Sequence, residues 1–107
     1  MLKPTIETQT THNFKGENYR FSIHYYADDP TSAILTCLEV DRDERKKGIG
    51  TKIMQYAENF AKEKGCDQIY LKLWSIKRNT WLHHWYLRLG YRFHEEDVFD
   101  FWLVKDI

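Results

Sequence analysis

The stretch that most constrains this chain is Val40–Thr51, Val-Asp-Arg-Asp-Glu-Arg-Lys-Lys-Gly-Ile-Gly-Thr. Ahead of it runs Ala33-Ile34-Leu35-Thr36-Cys37-Leu38-Glu39-Val40, short and almost free of charge, as a strand buried on both faces requires. Behind it, Ile49, Ile53, Ala57, Phe60, Ala61 and Lys64 recur at helical spacing, which predicts an amphipathic helix from about Gly48 to Lys64, ended by Gly65. The arrangement is strand, basic loop, glycine-lined helix start. Such a helix end offers unpaired backbone N–H groups and the positive end of a dipole. Gly48 and Gly50 lack a Cβ that would hold a ligand away, and Arg45, Lys46 and Lys47 add positive charge. Together these features make a site for a phosphate or pyrophosphate.

The rest of the chain builds a sheet around this unit. Residues 1–17 are polar, with a short edge strand admitted at Thr5–Thr10 and a turn around Gly16. Asn18–Tyr26 alternates, with Tyr19, Phe21, Ile23 and Tyr25 on one face, and Asp28–Ser32 has turn chemistry. These two segments predict an antiparallel hairpin with the apolar strand. Gln68–Trp74 alternates again through Ile69, Leu71 and Leu73, so strand, helix and strand form a right-handed βαβ unit with parallel strands. A second helix is expected from about Asn79 to Leu89, ended by Gly90. Strands Tyr91–His94 and Phe99–Val104 follow, about an acidic turn at Glu95–Asp97. The expected order is β-β-α-β-α-β-β: an α/β (α+β) single domain over residues 1–107, its mixed, mostly antiparallel sheet holding a central parallel pair and two helices.

Neither of the two commonest phosphate loops fits. No glycine precedes a Gly-Lys-Thr at Walker spacing, and the third glycine of a dinucleotide fingerprint falls on Ile53. Arg45-Lys46-Lys47-Gly48-Ile49-Gly50 instead matches Arg/Gln-x-x-Gly-x-Gly/Ala, and here the chain resembles the GNAT superfamily of acetyl-CoA-dependent N-acetyltransferases. A second stretch, Asn79-Thr-Trp-Leu-His-His-Trp-Tyr-Leu-Arg-Leu-Gly-Tyr91, resembles that family's Asn-x-x-Ala-x-x-Leu-Tyr-x-x-x-Gly-Phe. It departs at Leu82, where a small residue is usual, and at Trp85, where an aliphatic one is.

The resemblance implies a mixed GNAT-like sheet, acetyl-CoA as cosubstrate with no metal, and transfer of its acetyl group to a primary amine by direct attack in a ternary complex. The amine belongs to a small molecule or to a protein lysine. Arg45, Lys46, Lys47, Gly48, Ile49, Gly50 and Thr51 would hold the pyrophosphate, Asn79 the pantetheine, and Tyr86 would stand near the thioester sulfur. Attack on the thioester creates an oxyanion and then a thiolate. A backbone N–H at Leu38 or Val40 would meet the first, and the Tyr86 hydroxyl would protonate the second. The base is open: Glu39 lies beside the expected thioester site, His83 and His84 are further candidates, and a water relay is another.

Equal counts of basic and acidic residues, 16 of each, argue against a chain devoted to wrapping nucleic acid or coating an anionic membrane. The cysteines, Cys37 and Cys66, make no disulfide framework, and no apolar run reaches membrane length, so a cytoplasmic setting is expected. Family members usually carry one or two helices between their first two strands, whereas residues 1–32 here hold only strands and turns. The acceptor site is therefore expected to be open or completed by a partner, and the sheet edges and exposed aromatics admit a homodimer. The alternative reading is a non-catalytic module that binds coenzyme A as a sensor or interaction subunit.

Overall fold

The computed structural model describes residues 9–26, 29–41 and 48–107. Six strands lie in one sheet with two helices over one face. They are β1 (Gln9–Lys15), β2 (Tyr19–Tyr26), β3 (Asp29–Val40), α1 (Ile49–Glu63), β4 (Gln68–Trp74), α2 (Trp81–Arg88), β5 (Arg92–Glu96) and β6 (Asp100–Asp106). The sheet order is β1-β2-β3-β4-β6-β5, with β3 and β4 parallel and every other pair antiparallel. The fold class and the central parallel pair stand as expected, with one strand added at the front. β1 runs to Lys15 because its ladder with β2 continues to Lys15↔Arg20, although Phe14 is the only large apolar residue in Gln9–Lys15. Residues 5–8 of the expected edge strand lie outside the described residues.

Strand alternation decides what faces the helices. Phe21, Ile23, Ala33, Leu35, Ile69, Leu71, Leu73, Phe101 and Leu103 are buried on one face beneath Ile53, Met54, Ala57 and Ala61 of α1 and Tyr86 of α2. The other face carries Arg20, Ser22, His24, Thr36, Glu39, Tyr70, Lys72 and Trp74, and no helix covers it among the described residues. β1 and β2 join through a short turn at Gly16–Asn18, closed by the Gly16 N–H donating to Tyr19 O at 2.9 Å. No helix stands between them. No helix among the described residues is long and apolar enough to cross a membrane.

The second helix is shorter than expected at its front. Asn79 adopts φ 62°, which breaks the helical path, and Thr80 is the residue before the first turn. At the other end Gly90 has φ 100°, and its N–H donates to Leu87 O while the Tyr91 N–H donates to Tyr86 O. This pair of bonds closes the helix in the left-handed glycine motif. It also sets Tyr91 against Tyr86, with ring centroids 6.0 Å apart. The last strand, β6, inserts between β4 and β5, an order that the sequence pattern does not show.

Candidate active site

The site is the place where the parallel strands part. β3 and β4 pair only from Ser32↔Gln68 to Leu35↔Leu71. Beyond that, β4 continues to Trp74 against β6, and β3 continues to Val40 against β2. A bulge bends β3 away: Ser22 opposes Thr36, but Arg20 opposes Glu39, a step of two on β2 against three on β3. The extra residue reverses the facing of the rest of the strand. Leu38 and Val40 thereby join Leu35 in packing on the core, and Glu39 turns to the open face.

The gap is a cleft of about 470 Å³ lined by residues from both faces of the sheet. Leu35, Thr36, Leu38 and Glu39 form one wall and Leu71, Lys72, Leu73 and Trp74 the other; Lys77, Leu82 and Tyr86 complete it. Its helix-side portion is apolar. Its open-face portion is polar, with Thr36, Glu39 and Lys72. A somewhat larger groove, about 520 Å³, lies between α1 and the β1–β2 hairpin, among Phe14, Tyr19, Phe21, Ile49, Ile53 and Tyr56. Glu17, Asn18 and Lys52 line it as well, but it lies away from the place where β3 and β4 part and from Tyr86, so size does not make it the reactive site.

Tyr86 is 4% exposed, and its hydroxyl has no hydrogen-bond partner among the described residues. Burial pushes this phenol well above its ordinary value, so it stays protonated throughout the physiological range. A phenolic O–H that opens on a largely apolar cleft can donate a proton to a charge that develops there and does nothing before. Tyr91 is placed differently. Its hydroxyl donates to Glu58 Oε2 at 3.0 Å, and Lys105 Nζ donates to the same carboxylate at 3.1 and 3.3 Å.

Glu39 reaches the cleft, yet its carboxylate accepts two bonds from Arg20, Nε at 2.8 Å and Nη2 at 2.9 Å. That hydrogen-bonded guanidinium holds its carboxyl below the usual range. A carboxylate so held is a weakened proton acceptor. His83, placed by its spacing on the same helix stripe as Tyr86, is buried with it. Its Nδ1 accepts the Asn79 N–H at 3.0 Å and its ring stands edge-on to Phe101, 4.9 Å between centroids, outside the cleft lining. Asn79 is exposed and does not line the cleft, and His84 is exposed.

Of the expected phosphate loop, Arg45, Lys46 and Lys47 lie outside the described residues. Gly48 precedes the first turn of α1 with φ 79°, and no atom of the described residues stands within 4 Å of where its Cβ would be. Gly50 has a second use: a Cβ there would come 3.2 Å from Cη2 of Trp85. The glycine lets α1 and α2 approach, and the Trp85 departure from the family pattern fills the space. Ile49 packs against the core and Thr51 is half-buried in the first turn. No group of three or more potential metal ligands occurs among the described residues.

Thr36, Lys72, Trp74 and Lys77 join the site without a motif in the sequence to mark them. For Thr36, Lys72 and Trp74 the one signal is parity, since they alternate with the buried residues of β3 and β4. That signal does not say where the ladder ends. A fifth residue is reached through Thr36. His24 of β2 lies with Nε2 2.7 Å from Thr36 Oγ1 and Nδ1 3.0 Å from Thr11 Oγ1.

Solved structures share this architecture. An acetyltransferase from Bacillus cereus ATCC 14579 superposes with a TM-score of 0.69 at 22% identity, covering 100% of this chain and 81% of that one. The PaiA N-acetyltransferase of Thermoplasma acidophilum, in complex with coenzyme A, gives 0.75 at 20% identity, over 92% of this chain and 61% of that one. An aminoglycoside 6'-N-acetyltransferase complexed with coenzyme A gives 0.67 at 20%, over 92% and 72%. None of the curated protein sequences compared with the chain matches it. The model of the acetyltransferase (GNAT) family matches residues 18–91, a span that contains both walls of the cleft, the start of α1 and all of α2. On that match the chain belongs to the GNAT family of acetyltransferases, enzymes whose acyl donor is acetyl-CoA.

Proposed function

We infer that the chain transfers the acetyl group of acetyl-CoA to a primary amine by direct attack, with both substrates bound at the cleft. The observation that carries this reading is the loss of β3–β4 pairing after Leu35↔Leu71 beside Tyr86, which lines the gap. Two strands that leave their ladder expose N–H and C=O groups along facing edges. An extended ligand with its own amides, as the pantetheine arm is, can add there as a strand would. Leu35, Leu38, Leu71, Leu73 and Leu82 supply the apolar walls, and the α1 start from Gly48 to Thr51, with Arg45–Lys47, receives the pyrophosphate. Asn79 stands beside the N-terminus of α2 as a further partner for the pantetheine.

In the reaction the amine nitrogen forms a bond to the carbonyl carbon, and the carbonyl electrons move to oxygen. The Leu38 amide is the donor suited to that oxyanion. The carbon–sulfur bond then breaks and Tyr86 gives its proton to the departing thiolate. Tyr86 lies on the helix side, so the amine enters from the opposite, open face. Among the described residues no helix roofs that face, which suits an amine carried on a bulky substrate, and we assign a protein lysine as the acceptor class. The test is incubation with acetyl-CoA against two sets, folded proteins and small polyamines, followed by mass spectrometry. Acetylation of small amines with every protein untouched would overturn the lysine assignment, and no acetyl-CoA binding by calorimetry would overturn the whole reading.

A further inference from the structure

We propose that His24, acting through Thr36, is the group that takes the proton from the attacking amine. The inference rests on the function just described and supplies the base that it leaves open. His24 stands on β2 opposite Ile34 of β3 and Thr11 of β1, on the open face of the sheet. The two threonine hydroxyls hold the ring at both nitrogens, at 3.0 Å on Nδ1 and 2.7 Å on Nε2. Thr36 lines the cleft, and His24 does not. The threonine is thus the link between imidazole and substrate.

A neutral imidazole carries one N–H, so the two bonds run in one direction. With the proton on Nδ1, that N–H donates to Thr11 Oγ1, and the Thr36 hydroxyl donates to Nε2. The Thr36 oxygen keeps a lone pair for an N–H of the amine. As the nitrogen–carbon bond forms, the amine N–H bond breaks and its proton joins Thr36 Oγ1. The hydroxyl proton passes to His24 Nε2, and the electron pair of the broken N–H bond stays on nitrogen as the lone pair of the new amide. The imidazolium returns its proton to water across the open face. Base and acid are then on opposite sides of the acetyl group, His24 and Thr36 beneath the amine and Tyr86 beside the sulfur.

The surroundings keep the ring ready. Burial first, and the Lys72 charge second, lower its pKa from 6.5, so it is neutral at pH 7. Among the described residues, the charged and titratable groups on this face include Lys72 of β4 with its partner Asp100 of β6 at 3.7 Å, Tyr70 of β4 with the His94 ring packed on it at 5.0 Å, the Arg20–Glu39 pair from β2 and β3, and Lys15 from β1. Nearer along β1 and β2, Asn13 and Ser22 are uncharged and bond to each other. The competing bases are engaged elsewhere, Glu39 by Arg20 and His83 by the Asn79 amide.

Two measurements on the full chain decide it. Nitrogen NMR of the histidine-labelled protein at pH 7.5 should find His24 as the Nδ1–H tautomer; an Nε2–H tautomer, which would point its proton at Thr36, overturns the proposal. Kinetics with acetyl-CoA and poly-L-lysine should show His24→Gln lowering kcat by about 10²–10⁴-fold and erasing the fall in rate on the acid side of neutrality. Thr36→Val should lose a similar factor, and Thr36→Ser should recover most of it. Acetyl-CoA affinity by calorimetry should stay unchanged in all three. A His24→Gln enzyme with the wild-type rate and acid limb overturns the role of His24 alone. Wild-type protein that binds no acetyl-CoA overturns the function itself.

Discussion

Trp85 lies so close to Gly50 that a methyl group on the glycine would stand 3.2 Å from the indole. Two effects oppose each other when that glycine becomes alanine. A helix gains about 1 kcal/mol from Gly→Ala, while the indole must yield by a few tenths of an ångström. Gly50→Ala is expected to leave stability nearly unchanged in the native background and to stabilise by about 1 kcal/mol when Trp85 is Leu. Urea unfolding of the four proteins in this cycle measures the coupling. Additive effects would mean that the two helices do not press on each other here.

Tyr86→Phe separates stability from chemistry. The hydroxyl has no partner among the described residues, so its removal should leave Tm unchanged or slightly raised. Acetyl transfer should fall by about 10²–10⁴-fold with little change in acetyl-CoA affinity. Calorimetry beside single-turnover kinetics distinguishes this from a binding defect; equal rates for both enzymes would remove Tyr86 from the mechanism.

Glu58 joins α1 to the far end of the sheet by accepting from both Tyr91 and Lys105. Glu58→Ala leaves the Tyr91 hydroxyl unpaired in a buried position and should cost about 1–3 kcal/mol. The same substitution in a Tyr91→Phe background should cost less, because no orphaned hydroxyl remains. Thermal unfolding of the four variants provides the comparison, and an equal loss in both backgrounds would refute the argument.

Stability should fall as the solution is acidified through pH 6.5. Burial lowers the His83 pKa below 6.5, helped by the charges of His84 and Arg78. The unfolded chain therefore binds protons at a pH where the folded one does not. The stabilisation is complete above pH 6.5 and is lost as pH falls toward the folded value. His24 acts with the same sign. Urea midpoints from pH 7.5 to 5 should decline, with a shallower decline in His83→Gln. A parallel decline in that variant would assign the effect to other groups.

Much of the architecture is legible from spacing alone, because it depends on local periodicity. The apolar run before Val40, the i, i+3, i+4 stripe from Ile49, the alternation of Ile69, Leu71 and Leu73, and the glycines at 65 and 90 each state an element and where it stops. The two family motifs name the helix start and Tyr86. β1 is the hard strand to see, since Gln9–Lys15 offers one large apolar side chain and is held by its ladder with β2. The start of α2 departs from the spacing because Asn79 takes a left-handed backbone conformation and donates its N–H to His83.

Local pattern thus accounts for the elements after β1, the faces they bury and the family. Only packing in three dimensions settles where the parallel ladder ends, that β3 bulges between Thr36 and Glu39, and that β6 lies between β4 and β5. It also settles which side chains meet: Glu39 with Arg20, Trp85 with Gly50, His24 with Thr36. The physical reason is that a periodic pattern records each residue's preference for water or core, whereas a register records a choice between partners distant in the chain. One extra residue in β3 reverses the facing of everything after it, and no local pattern announces it.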